Sequence, residues 1–205
     1  MKKLGRKFFM QPSLTVAKQL LGKIIVRKVG QRLIAGKIVE TEAYPGPYDK
    51  ASHAFQMKRT KRNEAEYREG GYIYIYLVYG MYWQLNISTG KEGYPECVLI
   101  RALEPISNLS AKGGSASGGK NQISNLKTTN GPGKLCKWLK LDKSFYGEDV
   151  TKSKRIWITN PDPKQVLARG KVASGSRIGI DYAGPKWAKK PWRFWIKNSG
   201  FVSAK

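Results

Sequence analysis

Two stretches decide the fold: VETEAY at positions 39–44 and YIYIYLVYGM at positions 72–81. Both are rich in β-branched and aromatic residues, a composition typical of strands. The second stretch reaches Gly80, which permits a turn that other residues resist. A further strand pattern at 82–87 follows, so the sequence predicts a β-hairpin near the middle of the chain.

The rest of the chain adds more strands than helices. A helix is predicted to begin with Ser13 as its N-cap and to end at Gly22, and a second helix is predicted at 134–141. The excess of short strands predicts an α+β fold, a single compact domain over residues 1–205 on a curved, mostly antiparallel sheet with surrounding helices. The other predicted strands are 23–29, 33–44, 97–102, 155–159, 177–180 and 193–196.

One segment interrupts this pattern. Residues 113–119 read GGSASGG, a low-complexity composition that is typical of mobile chain. Because the part of the chain after it is too small and too poor in strands to fold alone, we interpret 110–121 as a mobile surface loop inside one domain.

The charge of the chain points to its partner. The sequence holds 38 Lys and Arg against 14 Asp and Glu, a formal net charge of +24. A Lys-rich solvated surface, a polyphosphate partner and a membrane surface could each explain this excess. Polyphosphate binding is favoured because it releases condensed counterions, whereas no long basic amphipathic helix supports membrane binding.

The cysteines and the single histidine limit the chemistry. Cys97 and Cys136 are far apart and outside any C-x-x-C spacing, and His53 is the one histidine, so too few ligands are present for a zinc site. The cysteines could form a disulfide, but reduced core residues are favoured. No signal peptide or membrane span is visible, so we expect a soluble intracellular protein without a metal or other cofactor.

Glu40 and Glu42 are the first candidates for chemistry. The two-residue period of a strand places both carboxylates on one face. Each could simply pair with Lys or Arg, yet a carboxylate in an apolar strand can also act as a general base if it reaches a water. A retaining sugar glycosidase fits poorly, because its second acid must face the first across the substrate.

Tyrosines form the second group of candidates. Tyr72, Tyr74 and Tyr82 could belong to an ordinary half-buried sheet, whereas Tyr76 and Tyr79 flank the turn and can reach outward. Aromatic faces stack nucleobases, and a cationic base gains cation–π attraction as well. His53 lies in a loop beside the carboxylate strand and could be structural or part of a site.

Three further features lie near strand ends or a helix start. Asn86 and Arg101 end two of the central strands, and an Arg in an apolar strand needs a partner such as a nearby carboxylate. The segment 131–134 offers free backbone N–H groups suited to a phosphate. It lacks the Walker and dinucleotide spacings, so the motif alone is weak.

Taken in order, these residues resemble the 3-methyladenine DNA glycosylases of the alkyladenine DNA glycosylase type. The resemblance covers nearly the whole chain. It is carried by VETEAY at 39–44, His53, Arg62-Asn63, YLVYGM at 76–81, NIS at 86–88, LIRALEP at 99–105, NGPGKLC at 130–136, SRIGI at 176–180 and KKPWRF at 189–194.

The resemblance implies a fold and a catalytic group. The family is one α/β domain on a curved antiparallel sheet that flips a damaged purine out of duplex DNA and hydrolyses its N-glycosidic bond. Glu42 resembles the base that activates water, and Arg101 resembles the residue that helps to hold the water and that carboxylate. Ile178 matches a position that packs near the water.

The resemblance also implies a pocket and a plug. Tyr44, His53 and Tyr76 resemble the walls that enclose the flipped base, and Asn86 resembles the residue that clashes with the exocyclic amine of guanine. Tyr79 resembles the side chain that fills the gap left in the DNA stack, with Met81 beside it.

Two segments depart from the family pattern. Glu66-Tyr67 stands where the family commonly has an apolar pair, and 110–121 is Gly/Ser-rich where relatives often have a basic helix. These departures affect the expected backbone contacts and DNA affinity more than the expected chemistry.

The sequence therefore predicts a monofunctional DNA glycosylase for alkylated or deaminated purines such as 3-methyladenine, 7-methylguanine, hypoxanthine and ethenoadenine. We expect it to act as a monomer on damaged duplex DNA in the cytoplasm, nucleoid or nucleus, without a membrane partner. Sequence alone does not exclude a lysine nucleophile. The main alternative is a non-catalytic RNA- or ribosome-binding module with a tyrosine platform.

Overall fold

The computed structural model describes residues 2–106, 128–161 and 171–203. The Gly/Ser-rich segment 110–121, predicted to be a mobile loop, lies outside the described residues. The strands are β1 (Ile24–Val29), β2 (Arg32–Tyr44), β3 (Ile73–Val78), β4 (Tyr82–Ser88), β5 (Cys97–Ile106), β6 (Ile156–Thr159), β7 (Val172–Gly175) and β8 (Arg193–Ile196). The helices are α1 (Arg6–Phe9), α2 (Ser13–Leu20), α3 (Pro132–Trp138) and α4 (Pro185–Ala188), with short 3-10 turns between elements.

The eight described strands form one antiparallel sheet in the order β3-β4-β5-β2-β1-β6, with β8 paired to β2 and β7 paired to β8. The α+β fold on an antiparallel sheet is therefore confirmed. The hairpin is confirmed as well, since Val78 of β3 pairs with Tyr82 of β4 across the predicted turn.

Strand β2 changes its pairing partner along its length, and the change occurs next to Glu40 and Glu42. Its first half pairs with β1 up to Lys37, whereas Glu40 to Glu42 pair with β8. The pairing of β2 with β5 shifts register between Ile38 and Glu40 and again between Glu40 and Thr41. Such bulges bend a strand and re-aim its side chains, and here they occur beside the carboxylates.

Helix α2 covers the other face of the same strand. Its buried residues Val16, Ala17 and Leu20 recur at helical spacing and join the main hydrophobic core. The hydroxyl of Thr41 donates to the carbonyl of Ala17 at 2.9 Å, which ties the helix to β2 between the two glutamates. Because Thr41 faces the helix, Glu40 and Glu42 face the opposite side.

Two predictions about elements were wrong, and two further elements have other bounds than predicted. Ser13 is the first residue of α2 rather than its cap; Pro12 takes that position, and the Ser13 N–H donates to Glu96 instead. Residues 177–180 form no strand: Ile178 and Gly179 are a bend, Arg177 pairs with Asp49, and the strand lies earlier, at β7. Strand β5 continues beyond 102 to Ile106, and α3 begins and ends earlier than 134–141.

Cys97 and Cys136 are buried free thiols, as predicted.

Among the described residues, no helix is both long enough and apolar enough to cross a bilayer.

Candidate active site

A cavity of about 640 Å³ opens beside the β3–β4 hairpin. This volume is within the usual range for a small-molecule site. Its lining comes from the ends of β2, β3, β4 and β5 and from the loops around His53 and Ile178. The lining includes Tyr44, His53, Arg62, Glu66, Tyr74, Tyr76, Tyr79, Asn86, Cys97, Arg101, Ile178 and Tyr182.

Arg101 lies between the two glutamates of β2. Its Nε is 3.3 Å from Glu40 Oε1 and its Nη1 is 3.1 Å from Glu42 Oε1, and both carboxylates are fully buried. Burial by itself would lower the pKa of Arg101, but the charges of Glu42 and Glu40 raise it above its ordinary value. Arg193 donates to Glu40 at 2.9 Å. Glu40 therefore contacts two arginines, and one of them, Arg101, also contacts Glu42.

Glu42 is held from three sides. Oε1 accepts from the Ile178 backbone N–H at 2.8 Å in addition to its contact with Arg101, and Oε2 accepts from the Tyr44 hydroxyl at 2.9 Å. A carboxylate offers about four lone-pair directions, so Oε2 keeps one for a further donor. Glu42 itself lies behind the pocket wall, and Tyr44, Arg101 and Ile178 form the wall in front of it.

A buried ion pair fixes the segment that carries Ile178. Arg177 donates to Asp49 Oδ2 at 2.5 Å and to Oδ1 at 2.9 Å, and both side chains are fully buried. Arg177 also donates to the Ala43 carbonyl at 3.1 Å. This fork joins the loop before His53 to β2, and it holds the Ile178 N–H against Glu42.

Aromatic rings form one wall of the pocket. The Tyr74 and Tyr76 ring centroids are 5.0 Å apart, and His53 meets Tyr76 edge-on at 4.8 Å. His53 Nδ1 is 2.6 Å from the Tyr74 hydroxyl. Burial, with a smaller contribution from the charge of Arg62, lowers the pKa of His53 to about 4. The imidazole is therefore neutral at pH 7, although part of it faces solvent through the pocket mouth.

Asn86 is fixed at the floor of the pocket. Its Nδ2 donates to the carbonyls of Tyr74 and Gln84 at 3.2 and 3.3 Å. Both protons of the amide group are therefore engaged within the sheet, which leaves Oδ1 as its acceptor. That oxygen lies 3.9 Å from the Cys97 thiol.

Glu66 brings a carboxyl group into the pocket lining itself. It lies on the turn Glu64–Tyr67, is 2% exposed, and has Oε1 3.0 Å from the Cys97 sulfur. Burial raises the pKa of Glu66 to about 7, against smaller opposing effects of Cys97 and Asn63. Burial likewise raises the pKa of the Cys97 thiol well above its ordinary value.

The hairpin tip projects next to the pocket mouth. Tyr79 and Gly80 both have positive φ, at 52° and 68°, and the Met81 N–H donates to the Val78 carbonyl at 3.1 Å. A bulky side chain is rare in this backbone region and costs on the order of 1 kcal/mol or more. The tyrosine is 86% exposed and Met81 is 65% exposed, so both side chains project into solvent from the turn.

A basic segment borders the same mouth. Residues 58–62 read KRTKR, and all five are exposed. Arg62 donates to the Leu77 carbonyl at 3.1 Å and lies over the Tyr76 ring at 4.9 Å. Positive charge is thereby held beside both the hairpin and the pocket.

The structure brings together most of the predicted site residues. Tyr44, His53, Tyr76, Tyr79, Asn86, Arg101 and Ile178 line one pocket, Glu42 lies directly behind it, and Met81 is on the adjacent hairpin outside the lining. Our sequence reasoning did not assign Glu66, Cys97, Tyr182, Asp49 or Arg177 to the site. Tyr74, which the sequence left open as a residue of an ordinary half-buried sheet, also lines the pocket, and Glu66 was visible as a departure from an apolar pattern.

Comparison with known proteins gives consistent matches along the chain. The family model described as Methylpurine-DNA glycosylase (MPG) matches residues 7–200. A protein of Natranaerobius thermophilus, provisionally named a 3-methyladenine DNA glycosylase, is 42% identical over 203 residues, 98% of each chain. One from Desulfitobacterium hafniense with the same name is 43% identical over 212 residues, 100% of each chain. The DNA-3-methyladenine glycosylase of Mus musculus is 37% identical over 207 residues, which cover 98% of this chain and 61% of the mouse protein.

Proposed function

Because this chain belongs to the methylpurine-DNA glycosylase family, we propose that it flips alkylated or deaminated purines out of duplex DNA and hydrolyses the N-glycosidic bond with a water activated by Glu42. Family membership makes it a DNA glycosylase, a hydrolase of N-glycosyl bonds that acts in DNA repair. The product of the proposed reaction is an abasic site. We further propose that the enzyme acts as a monomer inside the cell.

The observation that carries the proposal is the environment of Glu42. Three donors hold the carboxylate, and the residues that supply them, Arg101, Tyr44 and Ile178, all line the pocket. The remaining lone pair of Oε2 can accept a proton from a water that enters beside the sugar. A negative charge at this point would also stabilise the oxocarbenium-like transition state.

Arg101 acts in this proposal as a positioning residue. It pairs with the fully buried carboxylate of Glu42, and the Ile178 N–H holds the same oxygen, Oε1. General acid–base catalysis by such a held group contributes about 10²–10⁴-fold in rate.

The aromatic pocket suits a flipped purine. A base inside the duplex cannot expose its sugar bond, so extrusion costs a few kcal/mol, and least for a damaged base. Tyr44, Tyr76 and the neutral His53 offer faces and edges for stacking. Electron-poor alkylpurines stack well on such rings and are already good leaving groups. In this proposal, Asn86 reads the edge of the base and excludes guanine through its exocyclic amine.

The exposed hairpin tip suits the gap that flipping leaves. Tyr79 can insert into the base stack with Met81 beside it, while residues 58–62 bind phosphates. Stacking of a base on an aromatic ring contributes roughly 1–3 kcal/mol.

The function is tested with a duplex that carries one hypoxanthine, incubated with the protein and then treated with alkali. We expect strand scission at the hypoxanthine and not at an undamaged adenine in a matched duplex. Tight binding to RNA together with no scission would instead support the RNA- or ribosome-binding module.

Replacing Tyr79, the side chain proposed to fill the gap in the base stack, should weaken capture of the flipped base. We expect Tyr79→Ala to lower kcat/KM for hypoxanthine excision roughly 10-fold or more, because one stacking contact is lost. The free energy of unfolding should change little, since the Tyr79 side chain is 86% exposed and Ala keeps the Cβ on which the positive-φ strain depends. Tyr94→Ala, another exposed tyrosine, is the matched control. Equal excision by wild type and Tyr79→Ala would contradict the plug function.

A further inference from the structure

Glu66 is a buried acid that the proposed mechanism does not use. It lines the base pocket, and its Oε2 has no hydrogen-bond partner within the part of the chain that the structure describes. None of the ion pairs among the described residues involves it. In a chain with 38 cationic side chains, an acid without a cation at a ligand cavity is unusual, because buried charges are normally paired.

The groups that face Glu66 are neutral near pH 7, with one exception. The pKa of Tyr67 on its own turn, of Tyr74 and Tyr76 on β3, of Cys97 on β5 and of Tyr146 is raised in each case, first by burial. The pKa of His53 is lowered to about 4. The exception is the Arg62 guanidinium, which is exposed at the mouth.

A ligand can supply the missing positive charge. A carboxylate in a poorly hydrated pocket attracts a cation more strongly than it would in water. A purine alkylated on a ring nitrogen carries a delocalised positive charge, whereas hypoxanthine is neutral. A cationic base held between the aromatic rings would lie in the same cavity that Glu66 lines.

On the basis of the proposed function, we propose that Glu66 is a specificity-determining residue whose negative charge favours cationic alkylated purines over neutral deaminated ones. It acts through its charge from the pocket wall, while Glu42 carries out the chemistry.

The preference depends on pH with a defined sign. Burial raises the pKa of Glu66 to about 7, so the acid is mostly neutral at pH 6 and mostly charged at pH 8. A cationic base favours the charged form and displaces the proton. Discrimination in favour of the cationic base therefore rises between pH 6 and pH 8.

The experiment lets two lesions compete in one reaction, 3-methyladenine in methylated DNA and hypoxanthine in an otherwise matched duplex. The ratio of the two kcat/KM values is measured at pH 6 and pH 8. We expect Glu66→Gln to lower the ratio roughly 10-fold at pH 8, which corresponds to one unit of pKa coupling, and to change it much less at pH 6. Glu64→Gln is the matched control, because it removes one carboxylate from the same turn at an exposed position.

Thermal unfolding of wild type and Glu66→Gln shows whether the variant is folded when its ratio is measured. The raised pKa makes the contribution of Glu66 to stability fully present below about pH 4.5 and lost as the pH rises through about 7. We therefore expect Glu66→Gln to raise the Tm relative to wild type at pH 8 more than at pH 5. A folded variant with an unchanged ratio at pH 8 would overturn the proposal.

The outcomes separate this proposal from the function on which it rests. Release of neither base by the wild-type protein would refute the glycosylase function itself. Release of both bases with the same ratio in wild type and Glu66→Gln would refute the role of Glu66 alone. Selective loss of hypoxanthine release would show that Glu66 serves neutral bases as a proton donor, which also overturns the proposal.

Discussion

Glu42→Gln is expected to bind lesion-bearing duplex as wild type does and to lose base release by about 10²–10⁴-fold. The amide keeps the size of the side chain; its oxygen can still accept from the Ile178 N–H, while its NH₂ group can donate to the Tyr44 hydroxyl oxygen. It cannot take a proton from water, and it brings no negative charge to the transition state. Single-turnover excision of hypoxanthine measures the loss, and a titration with the same duplex measures binding.

Glu40→Gln is the control for this variant. It removes the neighbouring carboxylate from the same face of β2 and also alters a contact of Arg101. Among the described residues, however, no hydrogen bond joins Glu40 to Tyr44 or Ile178. We expect a loss of stability with excision well above that of Glu42→Gln. Retained excision in folded Glu42→Gln would remove Glu42 from the role of base.

Arg101→Met should reduce the free energy of unfolding by about 3–5 kcal/mol, because it leaves the fully buried charge of Glu42 without its cation. Glu40 retains Arg193, so the loss falls mainly on Glu42. Excision should fall as well, since the carboxylate is no longer held against the pocket. Urea denaturation followed by circular dichroism measures the change in stability.

A double variant tests the reason for that loss. In Glu42→Gln/Arg101→Met the unpaired charge is gone, so we expect part of the stability to return relative to Arg101→Met alone. Losses that simply add would indicate that Arg101 stabilises the fold through its other contacts, such as the one with Glu40, and not through its pairing with Glu42.

Much of the site could be predicted because local rules decide it. Alternation in β2 placed Glu40 and Glu42 on one face, and the structure shows both against Arg101. The turn residue Gly80, with its positive φ, fixed the hairpin whose tip carries Tyr79. In these places propensity, pattern and turn chemistry agree.

The parts that could not be predicted depend on contacts between distant segments. The local sequence predicts that Arg177 begins a strand. Its side chain instead pairs with Asp49, 128 positions away, and the backbone at Arg177 is not part of a strand. The local sequence predicts that Ser13 caps a helix, but its N–H donates to the carboxylate of Glu96, which is distant in sequence. The pKa of Glu66 is set by burial under residues from several elements, which no local pattern encodes.

The most direct test of the central claim is a crystal structure of the wild-type protein with a duplex that carries a cleavage-resistant 2′-fluorinated lesion nucleotide. We predict the damaged base between Tyr44 and the rings of His53 and Tyr76, with a water bound to Glu42 Oε2 and about 3–3.5 Å from the anomeric carbon. A flipped base with no water between Glu42 and the sugar, and a carboxylate still closed off behind Arg101, would contradict it.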